Sequence, residues 1–251
     1  MVSRLSCVSA SLFGYSNSKE VKYLDNDAVN GTTSLFDQTA ADFTAKVDKQ
    51  IHSGRYRRGD LFRSAVVSSV PPHGHILDYG CGPGRISALL AKQGFRVLGV
   101  DPSPEMISVA RQQRLDGANV EFQLCDSSPL EGQIEVFDAV VCSSVIEYES
   151  QPVELLHRFA AALRPSGALI ISFANSRSLS RALFQRRNLH LGAQVHTWSS
   201  REFTQLLEQG GFRQNRNAVY FDSFLDRLPP LGLLSASQFI GALGLIVAVK
   251  S

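Results

Sequence analysis

Short apolar segments alternate with polar turns through the middle of the chain. Ile76-Leu77 and Val97-Leu98-Gly99-Val100 are two such segments, of the kind that form buried strands. Between them, apolar residues at helical spacing run from Ile86 to Ala91, and Gly94 follows at the point where a helix would end. Glycines join the first segment to this helix. The pattern therefore predicts a strand–helix–strand unit.

Similar patterns predict elements on both sides of this unit. A helix over Leu61–Val70 should end at Pro71-Pro72, because proline disfavours helical backbone at the residue before it. Two antiparallel strands should close the chain, over Phe212–Phe224 and Leu243–Val249. The other predicted elements are helices over Pro104–Leu115 and Val153–Leu163, and strands over Val120–Leu124, Phe137–Cys142 and Leu169–Phe173.

The glycine loop between the first strand and its helix is the first candidate binding site. Gly80, Gly82 and Gly84 lack the side chains that would keep a ligand away from the backbone. The helix that follows offers unpaired N–H groups. The second strand ends in Asp101, where a carboxylate in nucleotide-binding folds accepts hydrogen bonds from a ribose diol. We therefore expect a ligand with an adenosine-like half to lie across this edge.

Five motifs follow one another along the chain. The loop reads D-x-G-C-G-x-G from Asp78, and Arg85 stands where the dinucleotide fingerprint G-x-G-x-x-G would need its last glycine. The other four motifs are Val100–Met106, Phe122–Ser127, Phe137–Tyr148 and Leu163–Ser172. In this order they resemble the motifs of the class I S-adenosylmethionine (SAM) dependent methyltransferases. The resemblance covers residues 36–251.

The resemblance implies an α/β fold with SAM as the cofactor. In that fold a Rossmann-like sheet of seven mostly parallel strands, in the order 3-2-1-4-5-7-6, lies between helices, with an N-terminal helical cap. In related families an arginine upstream of the loop pairs with the carboxylate of SAM; Arg55, Arg57 and Arg58 are the choices, and Arg58 is our candidate. A solvated basic turn is the alternative. The residues that match the other cofactor-binding positions are Asp78, Gly80, Cys81, Gly82, Gly84, Asp101, Pro102, Met106, Asp126, Ser127 and Ser143.

Composition narrows the class of protein. The 251 residues are 44% apolar, which suits one α/β domain, and the net charge of +2 gives no global field for nucleic acid. The four cysteines lack C-x-x-C spacing, so we interpret them as buried thiols of a reducing compartment and predict no metal site. Met1–Gly14 lacks the pattern of a signal peptide. The uncharged run Leu228–Val249 contains Pro229-Pro230, which favours a loop and a strand over a transmembrane segment, and we expect a cytoplasmic protein.

Three segments surround the predicted core of the domain. Residues 1–33 are polar and without periodicity, so they predict an arm that is partly flexible or ordered by a ligand, and residues 34–251 form the methyltransferase domain. Leu35–Phe43 resembles the opening segment that caps the cofactor in many small-molecule methyltransferases. Residues 175–192 carry basic residues among apolar ones at helical spacing, and related enzymes have a lid over the acceptor there. This basic face could be simply solvated, or could meet an anionic acceptor or a membrane surface.

Three residues are candidates for the base that takes a proton from the acceptor. His196 opens a segment that resembles the ubiquinone-biosynthesis-type and glycan-cluster methyltransferases, before a helix capped by Ser199 or Ser200. Histidine titrates near neutral pH, so His196 is the first candidate, and a structural histidine is the alternative. Glu147 and Tyr148, after the fourth strand, are the second choice.

Tyr148 also bears on metal dependence. The loop after the fourth strand typically reads L-E-H in the ubiquinone-type family, and some members bind a divalent metal there. Here the loop reads Ile146-Glu147-Tyr148, which puts a metal in doubt. Methylation of nucleic acid is disfavoured as well, because residues 143–146 replace the N/D-P-P-Y/F motif of enzymes that act on its amino groups.

These features predict a SAM-dependent methyltransferase that acts on a small molecule. The favoured acceptor atom is a hydroxyl oxygen of a phenol or quinol, a sugar or a secondary metabolite. N-methylation of an amino sugar or small amine is one alternative, and a non-catalytic SAM-binding regulatory protein is another. Arg85 disfavours a nucleotide-dependent oxidoreductase. An anionic acceptor and a homodimer are further hypotheses.

Overall fold

The computed structural model describes residues 57–113, 119–125, 134–187, 195–221 and 236–251, together with positions 41, 44, 45, 47–49, 51 and 130. The isolated positions between 41 and 51 are all helical, and position 41 is the one residue of the predicted cap segment, Leu35–Phe43, that the structure describes. The N-terminal arm, residues 1–33, lies outside the described residues.

A single mixed sheet forms the centre of the described chain. Its order is β3-β2-β1-β4-β5-β8-β6, with β7 also paired to β8. The strands from β1 to β5 are parallel, and β8 runs antiparallel to β5. This confirms the predicted Rossmann-like α/β fold. The strands are β1 (His75–Tyr79), β2 (Arg96–Asp101), β3 (Val120–Leu124), β4 (Phe137–Cys142), β5 (Leu163–Ala174), β6 (Phe212–Gln214), β7 (Val219–Phe221) and β8 (Leu243–Lys250).

Helices connect β1 to β2, β2 to β3 and β4 to β5, and helices pack on both faces of the sheet. They are α1 (Arg57–Val67), α2 (Arg85–Lys92), α3 (Pro104–Arg111), α4 (Pro152–Ala162), α5 (Leu179–Arg187) and α6 (Ser200–Gln209), with a short 3₁₀ helix at Ile146–Tyr148. The first of them, α1, starts four residues before the predicted Leu61, so Arg57 and Arg58 lie in a helix and not in a turn. Asp60 in its first turn favours a helix start there.

The last part of the sheet differs from the prediction of one strand over Phe212–Phe224. The structure has two short strands, β6 and β7, which both pair with β8. Between them the N–H groups of Asn215 and Arg216 both donate to the carbonyl of Val247, at 2.9 and 3.3 Å. Two donors that share one acceptor break the regular ladder, as at a β-bulge.

The hydrophobic core lies on both faces of the sheet, because alternate strand residues point in opposite directions. On one face Ile76 and neighbouring strand residues pack against Phe62 of α1 and Leu90 of α2. On the other face Leu77 packs in the cluster that contains Phe159 of α4, together with residues of α6. Among the described residues, no helix has the length and apolar character needed to cross a bilayer.

Candidate active site

The candidate site lies where the strand order reverses. β1 has β2 on one side and β4 on the other, both parallel to it. Tyr79 is in register with Val100 and Cys142, so the loops that follow these three strands start side by side. In open α/β sheets a crevice forms outside the carboxyl ends of the strands at such a switch point. The fold therefore brings together the glycine loop, Asp101 and the loop after β4.

Two positions of the loop after β1 are occupied by glycine for different structural reasons. Gly84 is the N-cap of α2 with φ 73°, and a Cβ there would lie 2.6 Å from Phe122. Gly82 also has a positive φ, 53°, but a Cβ there would meet no described atom closer than the sulfur of Met106, at 4.0 Å. Packing therefore requires glycine at position 84. At Gly82 the described residues leave open space beside the backbone, as a bound ligand needs.

Asp101 is fixed by the backbone on both sides. Its Oδ2 accepts a hydrogen bond from the Gly82 N–H at 2.8 Å, and its Oδ1 accepts one from the Ser103 N–H at 3.0 Å. Ser103 in turn caps α3, because its Oγ accepts from the Met106 N–H at 3.1 Å, after Pro102 has led the chain out of β2. Each carboxylate oxygen can accept more than one hydrogen bond, so Asp101 can hold the loop and bind two hydroxyls.

Asp78 and Cys81 lie buried at the start of the glycine loop. The Ser87 hydroxyl of α2 donates to Asp78 Oδ2 at 2.5 Å. Burial raises the pKa of Asp78 to about 6, and the charge of Asp101 adds to this, while the hydrogen bonds from Ser87 oppose it. A bound cation would favour the charged form of this carboxylate. Burial likewise raises the pKa of the Cys81 thiol, which is therefore structural rather than reactive.

The loop after β4 holds buried polar atoms that have no hydrogen-bond partner among the described residues. Ser144 has a left-handed backbone, φ 57°, and its N–H donates to the Ser172 hydroxyl of β5 at 2.9 Å. Within the described part of the chain, Ser143 Oγ, Ser144 Oγ and Glu147 Oε2 are buried and have no hydrogen-bond partner. A buried polar atom without a partner costs free energy, and a left-handed serine adds strain. Both features are typical of a loop that is completed by a ligand.

Glu147 is the most deeply buried of the three candidate bases. Its side chain is 2% exposed, and burial raises its pKa to about 7. The positive charges of Arg181 and Arg58 act in the opposite direction and favour the charged form. Tyr148 is 40% exposed, and burial of its hydroxyl raises its pKa. Glu147 thus combines a protected position with a pKa suited to proton transfer near neutral pH.

His196 lies next to Glu147 but in a different environment. The N–H of His196 donates to the backbone carbonyl of Glu147 at 2.8 Å, and the imidazole is exposed. The ring stacks on Trp198, with 5.8 Å between ring centroids. Downstream, Ser199 and Glu202 form a capping box at the start of α6, which decides between Ser199 and Ser200 as the N-cap. The first and second candidate bases are therefore neighbours, joined through the main chain.

Arg58 reaches the same region from α1. Its guanidinium lies over the ring of Phe221 in β7, 5.9 Å from the ring centroid, and its charge acts on Glu147 and Tyr148. Arg58 therefore lies on the Glu147 side of the site. Its pairing with the carboxylate of SAM stays a prediction.

The first part of the predicted lid, residues 175–192, is attached to the segment before β8. Leu179 N–H donates to the Phe239 carbonyl at 2.9 Å, and the hydroxyls of Ser178 and Ser180 donate to the Ile240 carbonyl at 2.7 and 2.8 Å. The Arg181 Nε–H donates to the Ala242 carbonyl at 3.1 Å. The helix that the spacing predicts is present as α5, but Leu179 and Leu183 on it are exposed, 65% and 58%. His190 and the rest of the segment lie outside the described residues.

A family model of a methyltransferase domain matches residues 53–215, which is more than half of the 251 residues. The chain belongs to this methyltransferase family. This confirms the resemblance to class I SAM-dependent methyltransferases that the sequence motifs indicate.

Relatives and solved structures agree with the family. The ubiquinone biosynthesis O-methyltransferase of Coxiella burnetii (strain Dugway 5J108-111) is 37% identical over 105 residues, 40% of this chain and 44% of that protein. The chain thus matches less than half the length of that relative. The enzyme of the same name from Xanthomonas campestris pv. campestris (strain B100) is 29% identical over 170 residues, 63% of this chain and 70% of that protein. Among solved structures, the magnesium protoporphyrin IX methyltransferase of Synechocystis PCC 6803 with bound SAH superposes with a TM-score of 0.67 at 21% sequence identity. The match covers 89% of this chain and all of that one, and it shows the shared fold.

The residues of this methyltransferase domain fit SAM as its cofactor. The open space at Gly82 admits a ligand to the backbone of the loop, and the fixed carboxylate of Asp101 faces the same loop. Met106 lies beside Gly82, and its contact with the cofactor stays a prediction. Asp126 and Ser127, predicted for the adenine end, lie outside the described residues. Among the described residues, no group of three or more His, Cys, Asp or Glu could hold a metal ion.

Several residues that shape the site carry no signal in the sequence. Ser87 orients Asp78, Ser172 holds the loop after β4, and Phe122 packs where a side chain at Gly84 would be. Ser144 is left-handed although it is not a glycine. These four roles depend on contacts between distant segments, so neither spacing nor residue type could have identified them.

Proposed function

We propose that the protein transfers a methyl group from SAM to a hydroxyl oxygen of a small-molecule acceptor by in-line displacement. The observation that carries the proposal is the arrangement of Gly82 and Asp101, which leaves an open approach to the loop beside a fixed carboxylate. SAM supplies a methyl group that its sulfonium already activates, so the protein needs no nucleophile of its own. The work of the chain is to hold the acceptor oxygen in line with the C–S bond and to keep water away.

The residues divide into a cofactor half and an acceptor half. In the cofactor half, Asp101 would accept hydrogen bonds from the ribose hydroxyls, and the loop at Gly82 would lie along the amino-acid part. The buried carboxylate of Asp78 would favour a cationic group near that end. In the acceptor half, the loop from Ser144 to Tyr148 supplies the polar atoms, next to Ser143, which the sequence assigns to the cofactor. His196 adjoins this loop through the main chain.

The acceptor half favours oxygen over nitrogen as the methylated atom. A hydroxyl must lose its proton during transfer, and Glu147 is a buried carboxyl with a pKa near neutrality that could take it. The charges that act on Glu147 from outside its own loop, Arg58 and Arg181, are both positive and would repel an ammonium group. The O-methyltransferase names of the two relatives support the same choice. His196, Glu147 and Tyr148 all stay candidates for the base.

Other predictions accompany this proposal. Residues 34–251 would act as one catalytic domain, with residues 1–33 as an arm and residues 175–192 as part of the acceptor site. Localisation in the cytoplasm, a homodimer and the absence of nucleic acid among the substrates remain predictions from the sequence.

The test is a titration with S-adenosylhomocysteine (SAH), followed by assays of SAH release from SAM. The acceptor panel should hold phenols and quinols, sugars, and simple amines. SAH binding with turnover of hydroxyl compounds is the expected result. Turnover of amines alone would replace the proposal by N-methylation, and SAH binding without turnover of any acceptor would favour a regulatory SAM-binding protein. Failure to bind SAH would refute the proposal as a whole.

A further inference from the structure

Two arginines from distant parts of the chain act on the same carboxyl group. Arg58 belongs to α1 and Arg181 to α5, and the positive charges of both act on Glu147 in the loop after β4. Both also act on Tyr148, which is the next residue and is partly exposed at the surface. The geometry agrees: Phe221, under the Arg58 guanidinium, pairs with Leu243, which follows the Ala242 carbonyl that binds Arg181. Leu243 also pairs with Ala174, the last residue of β5, so both cations lie at the carboxyl end of the parallel strands, where the loop of Glu147 also lies.

Both guanidiniums are held in position by contacts of their own. Arg181 is bound through Nε to the Ala242 carbonyl, at the point where β8 begins beside the end of β5. The Arg58 guanidinium lies over the ring of Phe221. A guanidinium carries five N–H donors in a planar fork, a geometry that suits a carboxylate or a phosphate. Positions fixed in this way recognise an anion with little loss of side-chain entropy.

Glu147 supplies a hydrogen-bond acceptor in the acceptor half of the site. Its Oε2 is buried without a partner among the described residues, so a hydrogen-bond donor is needed to complete it. A hydroxyl is such a donor. An acceptor that carries a hydroxyl and, close to it, an anionic group would satisfy the carboxyl and both arginines together.

We propose that the acceptor is an anionic hydroxyl compound, whose carboxylate or phosphate is bound by Arg181 and Arg58 and whose reacting hydroxyl is bound by Glu147. This inference rests on the methyltransferase function proposed above. In the transfer, the methyl–sulfur bond breaks, a methyl–oxygen bond forms, and the sulfonium becomes a neutral sulfide. The hydroxyl proton passes to the ionised carboxylate of Glu147 and later leaves to solvent, so charge and atoms balance. Arg181 and Arg58 bind the acceptor, and their charges favour the ionised form of Glu147. In this arrangement Arg58 binds the acceptor instead of the carboxylate of SAM, the role that the sequence predicts for it.

The first experiment compares anionic and neutral probes of the same shape. In the presence of saturating SAH, calorimetry measures the binding of meta-hydroxybenzoate against meta-hydroxybenzamide, and of glycerol phosphate against glycerol. The wild-type protein should bind at least one anionic probe about tenfold or more tightly than its neutral counterpart, as expected for a charge-assisted hydrogen bond. Preference within the first pair identifies a carboxylate acceptor, and preference within the second identifies a phosphate. Equal binding within both pairs, or no binding of any probe, overturns the inference.

Substitutions test whether Arg181 causes the preference for the anionic probe. Arg181→Gln should remove most of the preference for the anion, and Arg181→Lys should keep part of it, because the charge remains without the fork. Arg201→Gln is the matched control, since Arg201 is an exposed arginine on α6 outside the proposed site. Circular dichroism and unchanged SAH affinity show that each variant is folded. Preference retained in the folded Arg181→Gln protein would contradict the assignment.

The role of Glu147 is tested by the pH dependence of turnover of the preferred anionic probe. Because the pKa of Glu147 is about 7, the wild-type rate should rise as pH increases through that value. Glu147→Gln should bind SAH normally, lower kcat by about a hundredfold and lose this inflection. Among the described residues, the titratable and charged groups that act on Glu147 or lie beside it are Cys142 of β4, Tyr148, His196, Arg58 and Arg181. An unchanged pH profile in Glu147→Gln, or no turnover of an anionic probe by a protein that binds SAH, overturns this inference and leaves the cofactor site intact.

Discussion

At the scale of single residues, Asp101 connects two elements of the fold and is also the proposed binding group for the ribose of the cofactor. Its carboxylate accepts the N–H groups of Gly82 and Ser103, and so it connects the loop after β1 to the start of α3. In the proposed function the same oxygens also accept hydrogen bonds from the ribose hydroxyls of the cofactor. Because the protein already orients the carboxylate, little ordering is needed when the ligand binds.

Replacement of Asp101 should therefore weaken cofactor binding strongly. Asp101→Ala is expected to cost about 2–3 kcal/mol of SAH binding free energy, the scale of lost hydrogen bonds to a charged group. Calorimetric titration measures this, and Glu105→Ala is the control, since Glu105 is an exposed acidic residue in the first turn of α3. Equal SAH affinity in wild type and Asp101→Ala would remove Asp101 from the cofactor site.

At the scale of elements, the glycine loop separates the requirements of folding from those of binding. A Cβ at position 84 would collide with the ring of Phe122, whereas a Cβ at position 82 would meet open space. Both positions have positive φ, which costs a non-glycine residue about 1 kcal/mol. The two glycines look alike in the sequence, and only their surroundings distinguish them.

The matched variants Gly82→Ala and Gly84→Ala should differ in what they damage. Gly84→Ala is expected to lower the free energy of unfolding by about 2–4 kcal/mol, because steric overlap adds to backbone strain. Gly82→Ala should cost only about 1 kcal/mol of stability but lose most SAH affinity, because its methyl group occupies the ligand's approach. Chemical denaturation and SAH titration on both variants check this. If both variants lost SAH affinity in the same proportion to their loss of unfolding free energy, the distinction between the two glycines would be refuted.

The capping box at α6 fixes the chain just after His196 and Trp198. Ser199 accepts the Glu202 N–H, and the Glu202 carboxylate accepts the Ser199 N–H at 2.7 Å. Ser199→Ala should destabilise the protein by about 1 kcal/mol, while Ser200→Ala should have little effect, because Ser200 is the first residue inside the helix. Urea unfolding of the two variants measures the difference. Equal effects would show that the capping box contributes nothing to stability.

Elements with strong local patterns could be predicted from the sequence. The βαβ unit, the order of the sheet and the capped start of α6 follow from apolar periodicity, glycine positions and the family motifs. The split between β6 and β7 could not be predicted, because it depends on two N–H groups that share the carbonyl of Val247. In the site, residue types identified Asp101 and Glu147. The left-handed Ser144 and the anchoring of Arg181 at Ala242 depend on tertiary contacts that no local pattern records.

At the scale of the whole molecule, two of the buried carboxyl groups in the crevice, Asp78 and Glu147, have raised pKa values. Burial raises the pKa of Asp78 from 3.8 to about 6 and that of Glu147 from 4.5 to about 7. The folded chain therefore binds these protons more tightly than the unfolded chain does. The resulting stabilisation is complete below the unfolded pKa values and is lost as pH rises through about 6 and then about 7. Maintaining two ionised carboxyls at working pH thus costs stability, which is typical of a functional site.

Neutral variants should recover this stability as pH rises. Relative to wild type, Glu147→Gln is expected to gain up to about 3 kcal/mol of unfolding free energy between pH 5 and pH 8, because glutamine carries no charge to bury. The variant is compared with wild type at each pH, because His75 and Asp138 also titrate. Their pKa values are lowered, so they make the free energy of unfolding rise with pH, in the wild type and in the variant. Glu154→Gln, at an exposed position on α4, is the control and should show no gain. A constant difference between Glu147→Gln and wild type across this range would mean that Glu147 has an ordinary pKa in the folded protein. Its burial would then not prepare it for proton transfer near neutral pH, and the exposed His196 would become the stronger candidate for the base.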